Sequence, residues 1–331
     1  MSTQLFINTP QWSQADVDIY EKPCPMVQNK VAIVAERELR ETEITKRDCL
    51  KQLKIWIQQN EDVKDCITDN NFLLRFLRVK KFSIPLAQQT LLKYLNFRKR
   101  FPGIFLNMDC RDPINNELIS GGYIVVSPVR DNNGRRVVIY NTSKFDPKKY
   151  SGMHLAKAHA IVYETLLAEE DNQILGVTHV ADLRGVNPSF FTLFSASDFG
   201  YLIKWGEQSI PMRHKEIHLI NMPQTIKYVY DFAKSNLSKK LKQRLMVHDS
   251  HAQLFESVGQ RCFPKEMGGT CTTVSKMIDS WKIELEEKRG RLLDIDRIQL
   301  LSDRYIQNSK KPIFGHGDDG LIGSFRRLEV D

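Results

Sequence analysis

The sequence predicts an α/β protein in two parts: a helical opening third, then a layered domain whose later strands run parallel. Three observations carry this. Up to Cys110 the apolar residues recur at helical spacing. Beyond it, short β-branched runs take over, and they alternate with helical stretches of roughly 10 to 15 residues, the pattern of a parallel layer. With 331 residues, 41% of them hydrophobic and 27% charged, the chain has the apolar material for one large core or two modest ones.

Residues 1–28 hold Pro10, Pro23 and Pro25 with weak periodicity and read as a flexible arm. Residues 29–110 read as the helical domain, with helical text from Val31. Leu50, Leu53 and Ile57, with Trp56, make an apolar stripe between Thr45 and Gln59. Phe72 and Phe76, and Leu73 and Leu77, are i,i+4 pairs of a short amphipathic helix with Arg75 and Arg78 at its polar margin. Ser83 and Pro85 start the next helix, and Leu91, Leu92, Leu95 and Phe97 continue the apolar set. Residues 70–108 contain eight Lys/Arg and no acid, so this domain has a basic face.

Residues 111–273 form the layered domain. Tyr123–Val126 and Val137–Tyr140 bracket Asp131-Asn-Asn-Gly134, a hairpin signal. A helical stretch, His154–Glu170, leads to a third strand, Val177–Asp182. A helix over Ser197–Gln208 leads to a fourth, Glu216–Ile220, and one over Gln224–Lys234 to a fifth, Leu245–His248. In residues 274–331 a last helix spans Val274–Leu285, and the tail around Gly315–Gly323 is too glycine-rich to hold a core.

Familiar catalytic signatures are missing. The chain has no Gly-x-Gly-x-x-Gly after the first strand, no Walker loop, no Gly-x-Ser-x-Gly elbow and no His-Glu-x-x-His. His214 and His218 fall on one face of a strand without a third metal ligand nearby. Asp182 ends a buried strand, where it hydrogen-bonds the turn Leu-Arg-Gly185 or serves as a catalytic carboxylate; the turn is the commoner use. With no nucleophile and base set, no enzyme and no cofactor are expected. The six cysteines lack metal-like spacing and read as thiols of a reducing cytosol. The start shows no secretory signal, and no apolar run approaches the roughly 20 residues that span a bilayer. Charge is concentrated. Residues 204–244 hold nine Lys/Arg against Glu207, Glu216 and Asp231, a net +6 of the chain's +8. Basic charge beside apolar segments points to an anionic membrane surface. Nucleic acid is disfavoured, because interleaved aromatics and a reading module are absent.

Four motifs carry a resemblance: Phe72-Leu-Leu-Arg-Phe-Leu-Arg, Asp182-Leu-Arg-Gly, Glu216-Ile-His-Leu-Ile-Asn-Met-Pro and Pro264-Lys-Glu-Met-Gly-Gly269. In this order and spacing, over about residues 45–285, the chain resembles the CRAL-TRIO family, in the branch of alpha-tocopherol transfer protein and cellular retinaldehyde-binding protein. Its last nine residues resemble the tails of insect relatives, so it is most similar to invertebrate members. The resemblance implies a helical N-terminal domain followed by a mixed, partly parallel five-stranded sheet flanked by helices. These would enclose an apolar cavity with a helical lid. It also implies a cytoplasmic lipid-transfer protein that exchanges a tocopherol-, retinoid- or other isoprenoid-like ligand at endosomal or plasma membranes. The alternatives in the same fold are a phospholipid or phosphoinositide sensor, and a non-catalytic membrane-targeted adaptor or small-GTPase regulator.

Ala156, His159, Ala160 and Tyr163 share one helix face, which the family turns toward its ligand; a histidine and tyrosine packed in the core are the other reading. On the third strand Val177, His179 and Ala181 share one face, expected to bind the ligand. Phe194, Leu202, Trp205, Ile210, Met212 and Ile217 match lining positions. Ile226, Val229, Phe232 and Ala233 form an apolar stripe, by the match a lid over the cavity, or else an ordinary docked surface helix. A bisphosphorylated phosphatidylinositol headgroup is carried over onto Lys80, Arg213, Lys215, Lys240 and Arg244, against the reading of a solvated basic face.

Overall fold

A computed structural model describes residues 25–306; the arm before them and the glycine-rich tail lie outside the described residues, as do the side chains of Tyr201, Lys204 and Trp205. Helix α1 (Pro25–Val34) begins inside the stretch expected to be a loose arm. Its Val31 and Val34 pack on the helical core, and that burial holds it. It runs into a π-turn, Ala35–Leu39, that ends at Arg40 with φ 63°. Thr42 accepts from the Thr45 amide to cap α2 (Glu43–Gln59), whose Leu50, Leu53 and Ile57 are buried. A short strand β1 (Val63–Lys64) follows. Asp69 caps α3 (Asn70–Val79), and α4 (Ile84–Arg100) has proline in its first turn, where no amide partner is lost. Phe72, Phe76 and Tyr94 meet edge-on between them. Short helices α5 (Pro102–Phe105) and α6 (Pro113–Ser120) lead into the sheet.

The five-stranded sheet has the order β2 (Ile124–Val126), β3 (Arg136–Asn141), β4 (Val177–Asp182), β5 (His214–Ile220), β6 (Leu245–His248). The first pair is the predicted antiparallel hairpin and the other three pairs are parallel. Helices α7 (Gly152–Leu167) and α8 (Glu170–Leu175) make the first crossover, and α9 (Ala196–Ser209) the second. The third passes through α10 (Lys227–Asn236) and α11 (Lys239–Lys242). Side chains alternate. Val137, Ile139, Val180 and Ile220 pack against α12 (His251–Val258) and α13 (Val274–Asp294), while Val138 and Tyr140 face α7.

Three expectations are corrected. Arg75 and Arg78 are not at a polar margin; each is 1% exposed, because α3 is covered by the layered domain on the side the sequence left polar. Arg75 Nη1 meets Glu164 Oε2 at 2.7 Å, and Tyr94 Oη donates to Glu164 Oε1 at 2.8 Å. Arg78 forks onto Glu41 and reaches Glu170 Oε2 at 2.7 Å. His214 and His218 do not share a face. Val177 is level with His214 but Thr178 with Glu216, so a bulge at Lys215 turns His218 to the opposite side, where it pairs with His248 at 2.8 Å. The last helix does not stop at Leu285. It continues to Asp294, held by Arg289 to Asp109 and Arg291 to Asp69, and β7 (Gln299–Leu300) then pairs antiparallel with β1.

Breaking one side of a buried, hydrogen-bonded ion pair leaves an uncompensated charge, which costs about 3–5 kcal/mol. Glu164→Gln is therefore expected to lower unfolding stability by about that amount. Urea denaturation followed by circular dichroism measures it.

Candidate functional site: an apolar cavity with a cationic rim

Between α7, the sheet and α9 lies a cavity of about 480 Å³. Phe97, Ile104 and Phe105 of the helical unit close one end; Phe199, Leu202 and Ile210 of α9 form the facing wall. Apart from Thr142 and Glu207, the polar side chains of the described lining fall in one stripe. Tyr123 Oη meets His159 Nε2 at 2.9 Å, and His159 Nδ1 meets Tyr163 Oη at 3.4 Å. Tyr163 and Tyr140 hydroxyls lie 3.3 Å apart, and Tyr140 Oη is 2.9 Å from His179 Nδ1. His179 Nε2 is 2.9 Å from His214 Nδ1. The rings support each other: Tyr140 stacks on His159 with centroids 4.8 Å apart, and on His179 at 5.9 Å.

Burial disfavours a charged imidazole. It pushes His159 down to about 4. His214 goes to about 4 through burial, with Arg244 and Lys240 adding to it. His179 sits well below its ordinary value, from burial and then from His214, His159 and His218. Burial also raises Tyr123, Tyr140 and Tyr163. The stripe is neutral at pH 7.

Of the ligand residues expected from sequence, Ala156, His159, Ala160, Tyr163, His179, Ala181, Phe194, Leu202, Ile210 and Ile217 line the cavity. Val177 and Met212 do not. Val177 lies at the start of β4, one turn of the pleat short of the cavity, and both side chains are packed in the adjoining core. The Trp205 side chain lies outside the described residues. Tyr123, Tyr140 and His214 were missed. Tyr140 was legible in part, since an antiparallel β2/β3 hairpin beside β4 places it on the face of His179; the bulge that turns His214 inward had no signal.

The expected lid stripe also falls elsewhere. None of Ile226, Val229, Phe232 and Ala233 lines the cavity. Ile226 is buried with Leu183 and Val186, and α10 lies outside α9, where Phe232 stacks on the cavity-lining Phe199 at 6.3 Å. The cover is α9, backed by α10; Leu237 and Leu241 complete the rim. On α10 Tyr228 is 88% exposed and Phe232 40%.

Beside that rim the five expected cations gather. Burial lowers Lys240, and after burial the causes are Arg244, Arg213, Lys80 and Lys81. Arg213 and Lys215 share one carboxylate: Glu38 Oε2 lies 2.5 Å from Arg213 Nη2 and 2.8 Å from Lys215 Nζ. Burial works to raise the Glu38 carboxyl, but Lys215 and Arg213 hold it below its ordinary range. Arg244 donates to the His214 carbonyl, and Arg213 to that of Ile174. Gly176, at φ 84°, lets β4 approach: a Cβ there would stand 2.4 Å from the Arg213 carbonyl.

Comparison with known proteins agrees with this fold. Residues 120–269 match the CRAL/TRIO domain family, and residues 42–115 match the Pinta-like UBA domain. The human "Alpha-tocopherol transfer protein-like" is 28% identical over 253 residues, 75% of this chain and 72% of that one. Clavesin-1 of Xenopus laevis is 26% identical over 234 residues, 70% of each. The crystal structure of Sfh5 superposes with a TM-score of 0.51 at 14% identity, covering 75% of this chain and 99% of that one, and shares the fold.

Each depressed histidine binds its proton more weakly folded than unfolded. The stability this gives is present above the unfolded value near 6.5 and is lost as pH falls toward about 4. The melting temperature is thus expected to drop between pH 7 and pH 5. In His159→Phe, which loses one such group, calorimetry is expected to find a shallower drop.

Proposed function

We propose that this chain, whose residues 120–269 match the CRAL/TRIO domain family and which encloses an apolar cavity, is a non-enzymatic carrier. It encloses one small hydrophobic lipid, of tocopherol, retinoid or other isoprenoid kind, and exchanges it at phosphoinositide-bearing membranes. The supporting observation is an adjacency. Leu241 lines the cavity while its neighbour Lys240 stands in the cationic cluster, and both sit on α11. His214 likewise turns its ring into the cavity while Arg244 holds its carbonyl. A polyphosphate head drawn to Lys80, Arg213, Lys215, Lys240 and Arg244 would pull on the segments that close the rim.

Opening follows from differential affinity: the headgroup favours the state in which α9 and α10 swing out, and release follows. Tyr228 and Phe232 would then enter the interfacial layer, each burial contributing roughly 1.5–3 kcal/mol. No helix of the described residues is long and apolar enough to cross a membrane, so attachment through this surface would be peripheral. The domain division at residues 110 and 273 and the cytoplasmic setting belong to the same proposal. Relatives described as alpha-tocopherol transfer protein-like support the ligand class.

Organic extraction of the purified chain should yield about one lipid per protein; repeatedly empty protein overturns the carrier in favour of an adaptor. Each basic contact near anionic lipid contributes about 1 kcal/mol, so Lys240→Ala with Arg244→Ala should weaken sedimentation with phosphatidylinositol bisphosphate vesicles by roughly 30-fold. Unchanged binding removes the headgroup site. Glu38→Gln frees Arg213 and Lys215 and should tighten the same binding about fivefold. Phe232→Asp is expected to slow transfer between vesicles about tenfold with lipid capacity retained.

A further inference from the structure

Two of the four sequence motifs, Asp182-Leu-Arg-Gly and Pro264-Lys-Glu-Met-Gly-Gly269, open onto a second cleft that a carrier has no use for. It lies on the far side of the sheet from the apolar cavity, and strand alternation puts it there. Tyr140, Thr142, Ala181 and Leu183 line the cavity, whereas their neighbours Ile139, Asn141, Asp182 and Arg184 line the cleft. Helix α13 forms its other wall. The volume is about 570 Å³, within the range of small-molecule sites. The carboxyl ends of parallel strands are also where α/β sheets commonly take ligands.

The cleft has an apolar floor and charged walls. Val125 and Ile139 of the sheet and Ile278 of α13 make the floor, and all three are buried. Two of the lining carboxylates are already committed to the fold. Asp182, 6% exposed, accepts through Oδ1 from the Arg184 amide at 3.0 Å and from Asn221 Nδ2 at 2.9 Å. Glu266 accepts from the Val274 amide at the start of α13, 3.1 Å from each oxygen. Three cations line the cleft as well. Arg184 reaches Asp182 Oδ2 and His251 Nε2 only at 3.4 Å each. Lys144 and Lys282 make no ion pair or side-chain hydrogen bond among the described residues, and neither does Asp279. The groups still free are thus two lysines and most of an arginine against one aspartate.

Positive charge in excess beside apolar surface fits a molecule that has both kinds of part. We infer that this cleft binds a small organic anion, a phosphate monoester or carboxylate on a compact apolar body. The anionic group meets Lys144, Arg184 and Lys282 in charge-assisted hydrogen bonds. The body covers Val125, Ile139 and Ile278, and its burial adds to the affinity. The site is separate from the cationic rim. Arg213 and Lys215 stand at the amino end of β5, level with Val177, while Asp182 ends β4 five residues on, roughly 16 Å along the strand. It does not depend on what the cavity carries.

Phenyl phosphate has both parts, inorganic phosphate only the head and benzyl alcohol only the body. Each is titrated into the full-length protein by calorimetry, and hydrogen–deuterium exchange locates the contact. Phenyl phosphate is expected to bind at least tenfold tighter than either fragment and to slow exchange over residues 264–267 and 274–282. Either fragment binding as tightly overturns the inference, and so does slowing confined to the rim segment 239–244 or to α7. Lys144→Ala with Lys282→Ala removes two of the three cations and should weaken phenyl phosphate about tenfold. Ser275→Trp, at an exposed lining position of α13, fills the cleft with every charge in place and should have the same effect. Lys240→Ala with Arg244→Ala should leave the slowing in α13 as it is. Unchanged binding in both cleft variants, or loss of the α13 slowing in the rim variant, overturns the site.

Discussion

The pairing of Glu164 with Arg75 and Tyr94 is the constraint on which the rest of the molecule depends. Helix α7 has two duties: Ala156, His159, Ala160 and Tyr163 wall the cavity, while Glu164 points away into the helical unit. Apolar contacts alone would draw α7 onto the sheet and fill the space, since the hydrophobic effect has no preferred direction. A carboxylate buried among an arginine and a phenol behaves differently. Its contacts hold over a few tenths of an ångström, and leaving them is costly in a medium of low polarity. The second buried cation, Arg78, repeats the arrangement with Glu41 and Glu170 at the two flanks of the junction. The hollow is kept open from outside by polar clamps.

Charge is partitioned across the thickness of a single strand end. Inside, imidazoles and phenols are held uncharged by burial; outside, burial lowers Arg213, Lys215, Lys240 and Arg244, and neighbouring cations, Arg135 among them, add to it. The bulge at Lys215 sharpens the partition. It lets His214 and Ile217 both face inward while Arg213 and Lys215 reach Glu38 on the opposite side. Without that extra residue, strict alternation would send Arg213 and Lys215 to one face and Ile217 along with them.

Much of this was legible in the chain. The stripes at Leu50, Leu53 and Ile57, the Asp131–Gly134 turn and the β-branched runs mark elements whose burial follows directly from their spacing, and the structure has them within a few residues. Helix ends drifted where tertiary packing decided: α13 carries polar text from Glu286 to Arg291 and still continues, because those side chains pair with Asp109, Asp69 and Arg111 far upstream. Arg75 and Arg78 misled for the same reason, since a charged residue reads as a surface residue unless its partner is known. The cavity face was legible on α7 and β4, where one periodicity decides orientation. It was illegible at Tyr123 and His214, where register between strands decides, and register is not a local property.

The return of the chain has a consequence for how the protein is made. Val63 finds its strand partner only in Leu300, and Ile295, Leu300 and Ile306 complete the core that α2, α3 and α4 begin. During synthesis α2, α3 and α4 leave the ribosome before residues 295–306, and wait for them before their core is sealed. The layered domain, whose strands all lie between Ile124 and His248, has its whole sheet in hand well before then. Of these two units, the one that emerges earlier is therefore finished later.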